Sequence, residues 1–183
     1  MSELHIIGEI RSGHDFGNSS YFCSYEIITG TQWTAVEGRT LGSTHVMRSG
    51  SDGISWNYPV DVHYSFNNVQ GWPKIAIQVW QLDDYGCKDI GGYGTAYLPM
   101  PGGGEQELCL STWRPNLWSS SPLVRIWQTL RLSIMGGYPV LRDNSLIADN
   151  EQRFKLHTLT SGTVKMSFTV IGRGMKETGL IYA

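Results

Sequence analysis

The chain has 183 residues, which suits one domain with a sizeable core, because two domains would each bury too little apolar surface. Hydrophobic residues make up 40% of the sequence and charged residues 16%, a composition that excludes disorder over most of its length. The formal charge of -2 excludes a global attraction to nucleic acid or anionic lipid, so any such contact requires a local patch.

The cysteines and the N-terminus bear on the cellular compartment. Cys23, Cys87 and Cys109 are odd in number and far apart, which favours reduced thiols in the cytosol over a disulfide framework. Met1 is not followed by a basic region and an apolar run, and apolar stretches elsewhere are interrupted after a few residues. We therefore expect a protein that is neither secreted nor membrane-spanning.

Strands dominate the predicted N-terminal half. Apolar residues within 3–10 and 21–29 predict two strands, each closed by polar or glycine-rich sequence. Residues 38–55 are rich in glycine and serine and predict a long connection. Residues 60–66 alternate between apolar and polar side chains, and residues 75–79 do the same after a turn. We expect these last two strands to be antiparallel neighbours.

The middle of the chain contains a predicted turn, two short strands and a helix. The sequence Gly-Gly-Tyr-Gly at residues 91–94 predicts a turn that leads into strands at 95–98 and 105–110. Ser121 as N-cap and Pro122 at the first helical position begin a helix whose apolar residues recur every three or four positions. Such a stripe must pack on a sheet, so we expect an inserted helix that covers one edge.

The C-terminal segment predicts a β-hairpin with a defined register. The apolar residues that alternate within 154–156 and within 164–170 must reach the same core, which pairs the two segments across a bulged turn. Gly162 would supply the left-handed residue of that turn. This register places Lys155 directly opposite Lys165 on the solvent face.

Arg153, Lys155 and Lys165 would then form a cationic strip. Like charges opposite each other cost on the order of a few tenths of a kcal/mol, so the strip is a candidate docking site for an acidic partner or a lipid head group. The alternative is that the lysines extend separately into water without a partner. Trp72 and Trp118 are further candidates for partner contact, as exposed tryptophans that could anchor an interface.

Few residues could support catalysis. Asp61 and His63 lie two apart on one strand and point the same way, as an acid and base pair or two metal ligands would. A third ligand at a suitable spacing is missing, which favours an ordinary polar strand face. The five histidines do not have the spacing of metal ligands, and the sequence contains no Walker loop, nucleophile elbow or dinucleotide-binding motif. The sequence predicts no catalytic residue, no metal site, no cofactor and no nucleic-acid partner.

The segment 79–92 resembles a loop of a known domain type. Its sequence, VWQLDDYGCKDIGG, resembles the third loop of calcium-binding lipid domains of the protein kinase C conserved-2 (C2) type. Asp83 and Asp89 match carboxylates of that loop, but Gln81 replaces the first carboxylate. In the matching first loop, Ser19 and Ser20 stand where an aspartate is expected. Calcium requires six to eight oxygen ligands, several of them charged, so the resemblance implies a degenerate site.

A second resemblance spans nearly the whole chain. The sequence resembles the B9-domain family of ciliary proteins through motifs that follow one another in order: LHIIG at 4–8, Trp56 with PVDV at 59–62, QGWP at 70–73, GYG at 92–94, TWRP at 112–115, Arg153 with LHT at 156–158, and GTV at 162–164. Each motif alone is weak, whereas their order is specific.

The resemblance implies a fold and a domain plan. It implies a single all-β domain over residues 1–175, followed by a short tail at 176–183. The fold would be an antiparallel β-sandwich of the C2-like type, with about eight strands and one inserted helix.

The resemblance also implies a function. It implies a non-catalytic scaffold of the ciliary transition zone, required for cilium assembly and for gating membrane protein entry. The expected partners are B9 domain-containing protein 1, the Meckel syndrome type 1 protein and tectonic-type membrane proteins. The expected location is the cytoplasm and cytoskeleton, at the basal body and transition zone. The alternative is a peripheral lipid-binding module that recognises anionic membrane through the cationic strip.

Overall fold

The fold is built from antiparallel strands. The computed structural model describes residues 2–116, 140, 141, 147 and 157–175. These contain ten strands: β1 (Ser2–His14), β2 (Ser20–Ile28), β3 (Trp33–Gly38), β4 (Leu41–Ser43), β5 (Met47–Arg48), β6 (Ile54–Phe66), β7 (Lys74–Leu82), β8 (Lys88–Tyr97), β9 (Glu105–Pro115) and β10 (Thr158–Arg173). Over the same residues, no helix has the length and apolar character needed to cross a membrane.

The strands form one hydrogen-bonded path that folds back on itself as a sandwich. Its order is β3-β6-β1-β10-β9-β8-β7-β2-β4, and β5 also pairs with β2. Between β9 and β8 the path narrows to a single residue pair, Trp113 with Tyr93, which divides it into two layers. Ile6 and Val62 from the first layer share one core with Ile77 from the second. The predicted antiparallel β-sandwich is therefore confirmed.

The alternation predicted for residues 60–66 is also confirmed. Val60, Val62, Tyr64 and Phe66 are each at most 2% exposed, whereas the polar residues between them face outward. Burying a large apolar side chain stabilises a fold by roughly 1.5–3 kcal/mol. The inward face of β6 is thus a main contributor to the core.

The predicted pairing of the two alternating strands is wrong. Strand β6 pairs with β1 and β3, and β7 pairs with β2 and β8, so neither has an edge left for the other. The turn at residues 67–73 instead carries the chain from one layer to the other. Alternation defines which side of a strand is buried, but it does not define the neighbouring strand.

The predicted turn at residues 91–94 is also wrong. These residues lie inside β8 and are buried. A Cβ on Gly92 would come within 2.6 Å of the Thr112 Oγ1 atom, and one on Gly94 within 2.9 Å of the Leu110 side chain. The glycines serve close approach between neighbouring elements and not chain reversal.

The predicted C-terminal hairpin is contradicted as well. Strand β10 continues through Gly162 and is paired on both sides, so that Val164 lies opposite Gly13 of β1 and Leu110 of β9. Residues 154–156 lie outside the described part of the chain, but both edges of β10 at Val164–Met166 are already paired. A Cβ on Gly162 would lie 2.3 Å from the carbonyl oxygen of His14, so this glycine also permits close strand packing.

Other predictions are confirmed in part. The strands predicted at 3–10 and 21–29 correspond to β1 and β2, whereas residues 38–55, predicted as a connection, include the short strands β4 and β5. The predicted helix beginning at Ser121 and the tail at 176–183 lie outside the described residues.

Candidate functional site

The loop that resembles a calcium-binding loop connects β7 to β8. The Asp83 Oδ1 atom accepts hydrogen bonds from the backbone N–H groups of Tyr85, at 2.9 Å, and Cys87, at 2.7 Å. Asp89 Oδ1 accepts a hydrogen bond from the N–H of Ile90 at 2.9 Å. Asp83 therefore binds backbone amides of its own loop, which fixes the turn without an ion, whereas Asp89 lies at the start of β8 and binds the adjacent amide.

The two positions that lack the expected carboxylates lie against each other. The Gln81 Nε2 atom donates a hydrogen bond to Ser19 Oγ at 3.0 Å, which joins the third loop to the first. Two carboxylates at this distance would repel each other without a cation between them. The neutral amide and hydroxyl pair closes the loops directly, so the loops need no calcium to approach each other.

Calcium is expected to leave the stability of the chain unchanged. An ion that binds the folded state alone raises the unfolding free energy by about 4 kcal/mol at a thousand times its Kd. Thermal unfolding with about 1 mM calcium should therefore match unfolding in a chelator to within about 1 °C, because the loop lacks enough charged oxygens. The same concentration of magnesium controls for general salt effects. A rise of several degrees with calcium alone would contradict the degenerate loop.

The residues predicted as partner contacts have different outcomes. Arg153 and Lys155 lie outside the described residues, so the strip is seen only at Lys165. Lys165 is exposed on β10, between Ser12 of β1 and Cys109 of β9. Its predicted place opposite Lys155 is wrong, because those two strands occupy both edges of β10.

The predicted exposure of Trp72 is wrong. Its side chain is 8% exposed, its Nε1 atom donates a hydrogen bond to the carbonyl oxygen of Leu98 at 2.8 Å, and its ring contacts Trp33 edge-on at 5.5 Å. Tryptophan is largely apolar, and its single N–H is satisfied by a backbone carbonyl here, so burial leaves no polar group unpaired. Trp72 therefore packs in the core.

The solvent side of the first layer carries Lys165, and we call it the outer face. It comprises the outward-pointing residues of β6, β1, β10 and β9. Near its centre, Arg11 donates hydrogen bonds to Glu9 at 2.7 Å, Glu105 at 2.5 Å and Glu107 at 2.8 Å. The hydrogen bond with Glu9 is the largest cause that raises the pKa of Arg11 above its usual value. One guanidinium thus joins three carboxylates from two strands.

Two isoleucines interrupt the polar character of the outer face. Ile7 of β1 is 47% exposed and Ile171 of β10 is 52% exposed. They are diagonal neighbours, because Ile7 lies opposite Thr169 and Ile171 lies opposite His5. The alternation of a half-solvated sheet predicts polar side chains at such positions. The sequence alone does not reveal this pair, because the contact depends on the pairing of the first strand with the last.

Histidines and carboxylates gather at the β6 side of the outer face. The residues predicted as an ordinary polar strand face, Asp61 and His63, do point to the solvent side, as their burial shows. The structure also brings His5 against His63, with ring centroids 3.8 Å apart, and places Glu3 beside them. Ligand spacing along one strand cannot reveal such a cross-strand group.

These observations together define a C2-like β-sandwich domain whose third loop is closed by its own hydrogen bonds. A family model described as "B9-C2: Ciliary basal body-associated, B9 protein" matches residues 4–171. The chain belongs to this family, and the predicted family membership is confirmed.

Full-length relatives agree with the family match. The chain is 36% identical to B9 domain-containing protein 2 of Danio rerio over 98% of this chain and 99% of the relative. It is 33% identical to B9 domain-containing protein 2 of Homo sapiens, with the same coverage. It is 28% identical to B9 domain-containing protein 1 of Xenopus laevis, over 96% of this chain and 87% of the relative. The relatives differ in name but share the domain along nearly its full length.

Proposed function

We propose that the chain is a non-catalytic scaffold of the ciliary transition zone, which supports cilium assembly and the gating of membrane protein entry. Its membership in a basal body-associated family supports this role and a location in the cytoplasm, at the ciliary cytoskeleton. The proposed partners are B9 domain-containing protein 1, the Meckel syndrome type 1 protein and tectonic-type membrane proteins. Because B9 domain-containing protein 1 is itself a relative, this complex would join two domains of one fold.

The described side chains with strongly raised pKa support a role without catalysis. Burial raises the pKa of the Cys23 thiol to about 12 and that of the Tyr64 hydroxyl to about 12. Both groups lie inside the core, Cys23 at 0% and Tyr64 at 2% exposure. A thiol that stays protonated at neutral pH and lies away from solvent is a poor nucleophile. The raised pKa values therefore reflect core packing and not an active site.

The single observation that carries the scaffold proposal is the apolar pair on the outer face. Ile7 and Ile171 are about half exposed, side by side, on two central strands of the first layer. Fully burying an aliphatic side chain contributes roughly 1.5–3 kcal/mol, so each half-exposed isoleucine has about 1 kcal/mol to gain in an interface. A protein partner with an apolar surface fits this face.

Replacing both isoleucines should weaken partner capture. In the double variant Ile7→Asp, Ile171→Asp, we expect capture of co-expressed B9 domain-containing protein 1 to fall at least about tenfold, since two desolvated charges replace apolar contacts. Quantitative pull-down with the full chain measures the loss. The matched control is Val46→Asp, because Val46 is 46% exposed but lies between β4 and β5 in the second layer. Equal capture by the double variant and wild type would contradict this docking face.

The charges of the outer face oppose the lipid-binding alternative. On β1, β6, β9 and β10, carboxylates outnumber cations among the described outward-facing residues: Glu3, Glu9, Asp61, Glu105 and Glu107 against Arg11, Lys165 and Arg173. Anionic lipid attracts clustered Lys and Arg and repels carboxylates. Membrane contact through this face would be weak, whereas a protein surface with apolar and basic groups would complement it.

A further inference from the structure

Two histidines and a glutamate converge on the outer face, on the strands β1 and β6. The register of this antiparallel pair places His5 directly opposite His63, and Glu3 opposite Ser65. The two rings are stacked, with centroids 3.8 Å apart and an interplanar angle of 14°. One ligand atom from each of Glu3, His5 and His63 lies within 4.8 Å of the others.

One of these ring nitrogens lacks a hydrogen-bond partner among the described residues. The Nε2 atom of His63 is buried and has no hydrogen-bond partner there. A buried polar atom without a partner costs about 1–3 kcal/mol, so a ligand that reaches this nitrogen would recover stability. A metal cation accepts the lone pair of a neutral imidazole and satisfies such an atom.

The surroundings favour a cation over an anion. A groove of about 410 Å³ adjoins the histidines, and Glu37 and Asp61 line it together with Arg39. With Glu3, three carboxylates surround the histidine pair, against two guanidinium groups: that of Arg39, and that of Arg173, whose Nη1 atom lies 4.0 Å from a carboxylate oxygen of Glu3. An anionic ligand would meet net repulsion here, whereas a divalent cation would be attracted.

We propose that Glu3, His5 and His63 bind a divalent transition-metal ion of the zinc type. Two imidazole nitrogens and one carboxylate oxygen are a donor set typical of zinc, and unsuited to calcium, which takes oxygen ligands alone. A tetrahedral ion about 2.0–2.1 Å from each nitrogen holds the nitrogens about 3.3 Å apart. Each nitrogen lone pair lies in its ring plane and must point at the ion, so the rings must pivot out of their stack. The fourth position faces solvent and takes a water molecule.

Zinc titration tests the proposal. Because exposed thiols are zinc ligands in general, and Cys87 and Cys109 are free and exposed, the background is the full chain with both replaced by serine. Isothermal titration with zinc chloride should show one ion per chain with a micromolar Kd. His5→Gln or His63→Gln should weaken binding at least about tenfold, whereas His45→Gln, at an exposed histidine between β4 and β5, should leave it unchanged.

A second measurement uses the unaltered protein. Long-range proton–nitrogen NMR spectra should show zinc-dependent shifts of the His5 and His63 ring nitrogens at one equivalent of metal. Absence of binding at about 100 μM zinc, equal binding by the His63→Gln variant, or shifts confined to other histidines would overturn the proposal.

Discussion

Replacing Trp56 with alanine is expected to lower the free energy of unfolding by about 3–5 kcal/mol. Trp56 belongs to β6 in the first layer and is 2% exposed, and its Nε1 atom donates a hydrogen bond of 3.2 Å to the carbonyl oxygen of Tyr21 on β2 in the second layer. The indole ring therefore connects the two layers. Its loss leaves a cavity between them and removes the hydrogen bond that joins them.

Urea unfolding measures this loss, and two further variants define its cause. Trp56→Phe keeps a ring but loses the N–H donor, so it should cost less than the alanine variant. Leu41→Ala, at a side chain that is 65% exposed, should change the free energy by no more than about 0.5 kcal/mol. A loss below about 1 kcal/mol for Trp56→Ala would show that the layers do not meet at this ring.

Gly8→Ala should be strongly damaging for a change of one methyl group, with an expected loss of about 2–3 kcal/mol or more in the free energy of unfolding. A Cβ on Gly8 would lie 2.2 Å from the carbonyl oxygen of Ser167 and 3.0 Å from the Cα atom of Phe168. Both are backbone atoms of β10, and β1 is hydrogen-bonded to β10 on one side and to β6 on the other. Relief of the clash therefore requires a central strand to move.

Gly50→Ala provides the matched control for this prediction. The nearest atom to a Cβ on Gly50 is the carbonyl oxygen of Gly53 at 3.7 Å, which is ordinary van der Waals contact. Alanine there also reduces the conformational freedom of the unfolded chain, so the variant should be neutral or more stable by up to about 1 kcal/mol. Thermal unfolding compares the two variants. Equal stability of Gly8→Ala and Gly50→Ala would contradict the close packing of β1 on β10.

Sequence periodicity was sufficient to predict strands and buried faces, because alternation is local and burial follows from it. The inward residues of β6, such as Val62 and Tyr64, could be identified without any knowledge of their neighbours. The order of the B9-family motifs was likewise sufficient for the family. These signals depend on short windows or on their order along the chain.

Strand pairing could not be predicted in the same way. The first strand lies between the sixth and the tenth, so its partners are far away in sequence. The apolar patterns of the last residues fit a local hairpin, and nothing within the segment shows that β1 and β9 occupy both edges of β10. The role of the glycines at 91–94 could not be predicted for the same reason, because the need for close approach arises from Thr112 and Leu110 on another strand.

At the candidate sites, too, some features could be predicted from the sequence and others depend on strand pairing. The substitutions at Gln81 and Ser19 were visible in the sequence as missing carboxylates, but only the structure shows that they bond to each other. His5 and His63 lie on strands whose pairing defines their contact, so ligand spacing along the chain gives no sign of it. The proximity of Ile7 to Ile171 likewise depends on the register of β1 with β10.

The outer face is proposed to bind protein partners and not membrane. The most direct test is to co-express the chain with B9 domain-containing protein 1 and to measure the mass of the particle that they form. Light scattering after size exclusion should show one stable heteromer at both about 0.1 M and about 1 M salt, because screening weakens exposed charge pairs but not apolar contacts. Two separate proteins at both salt concentrations, with the chain alone floating on anionic vesicles, would contradict the claim.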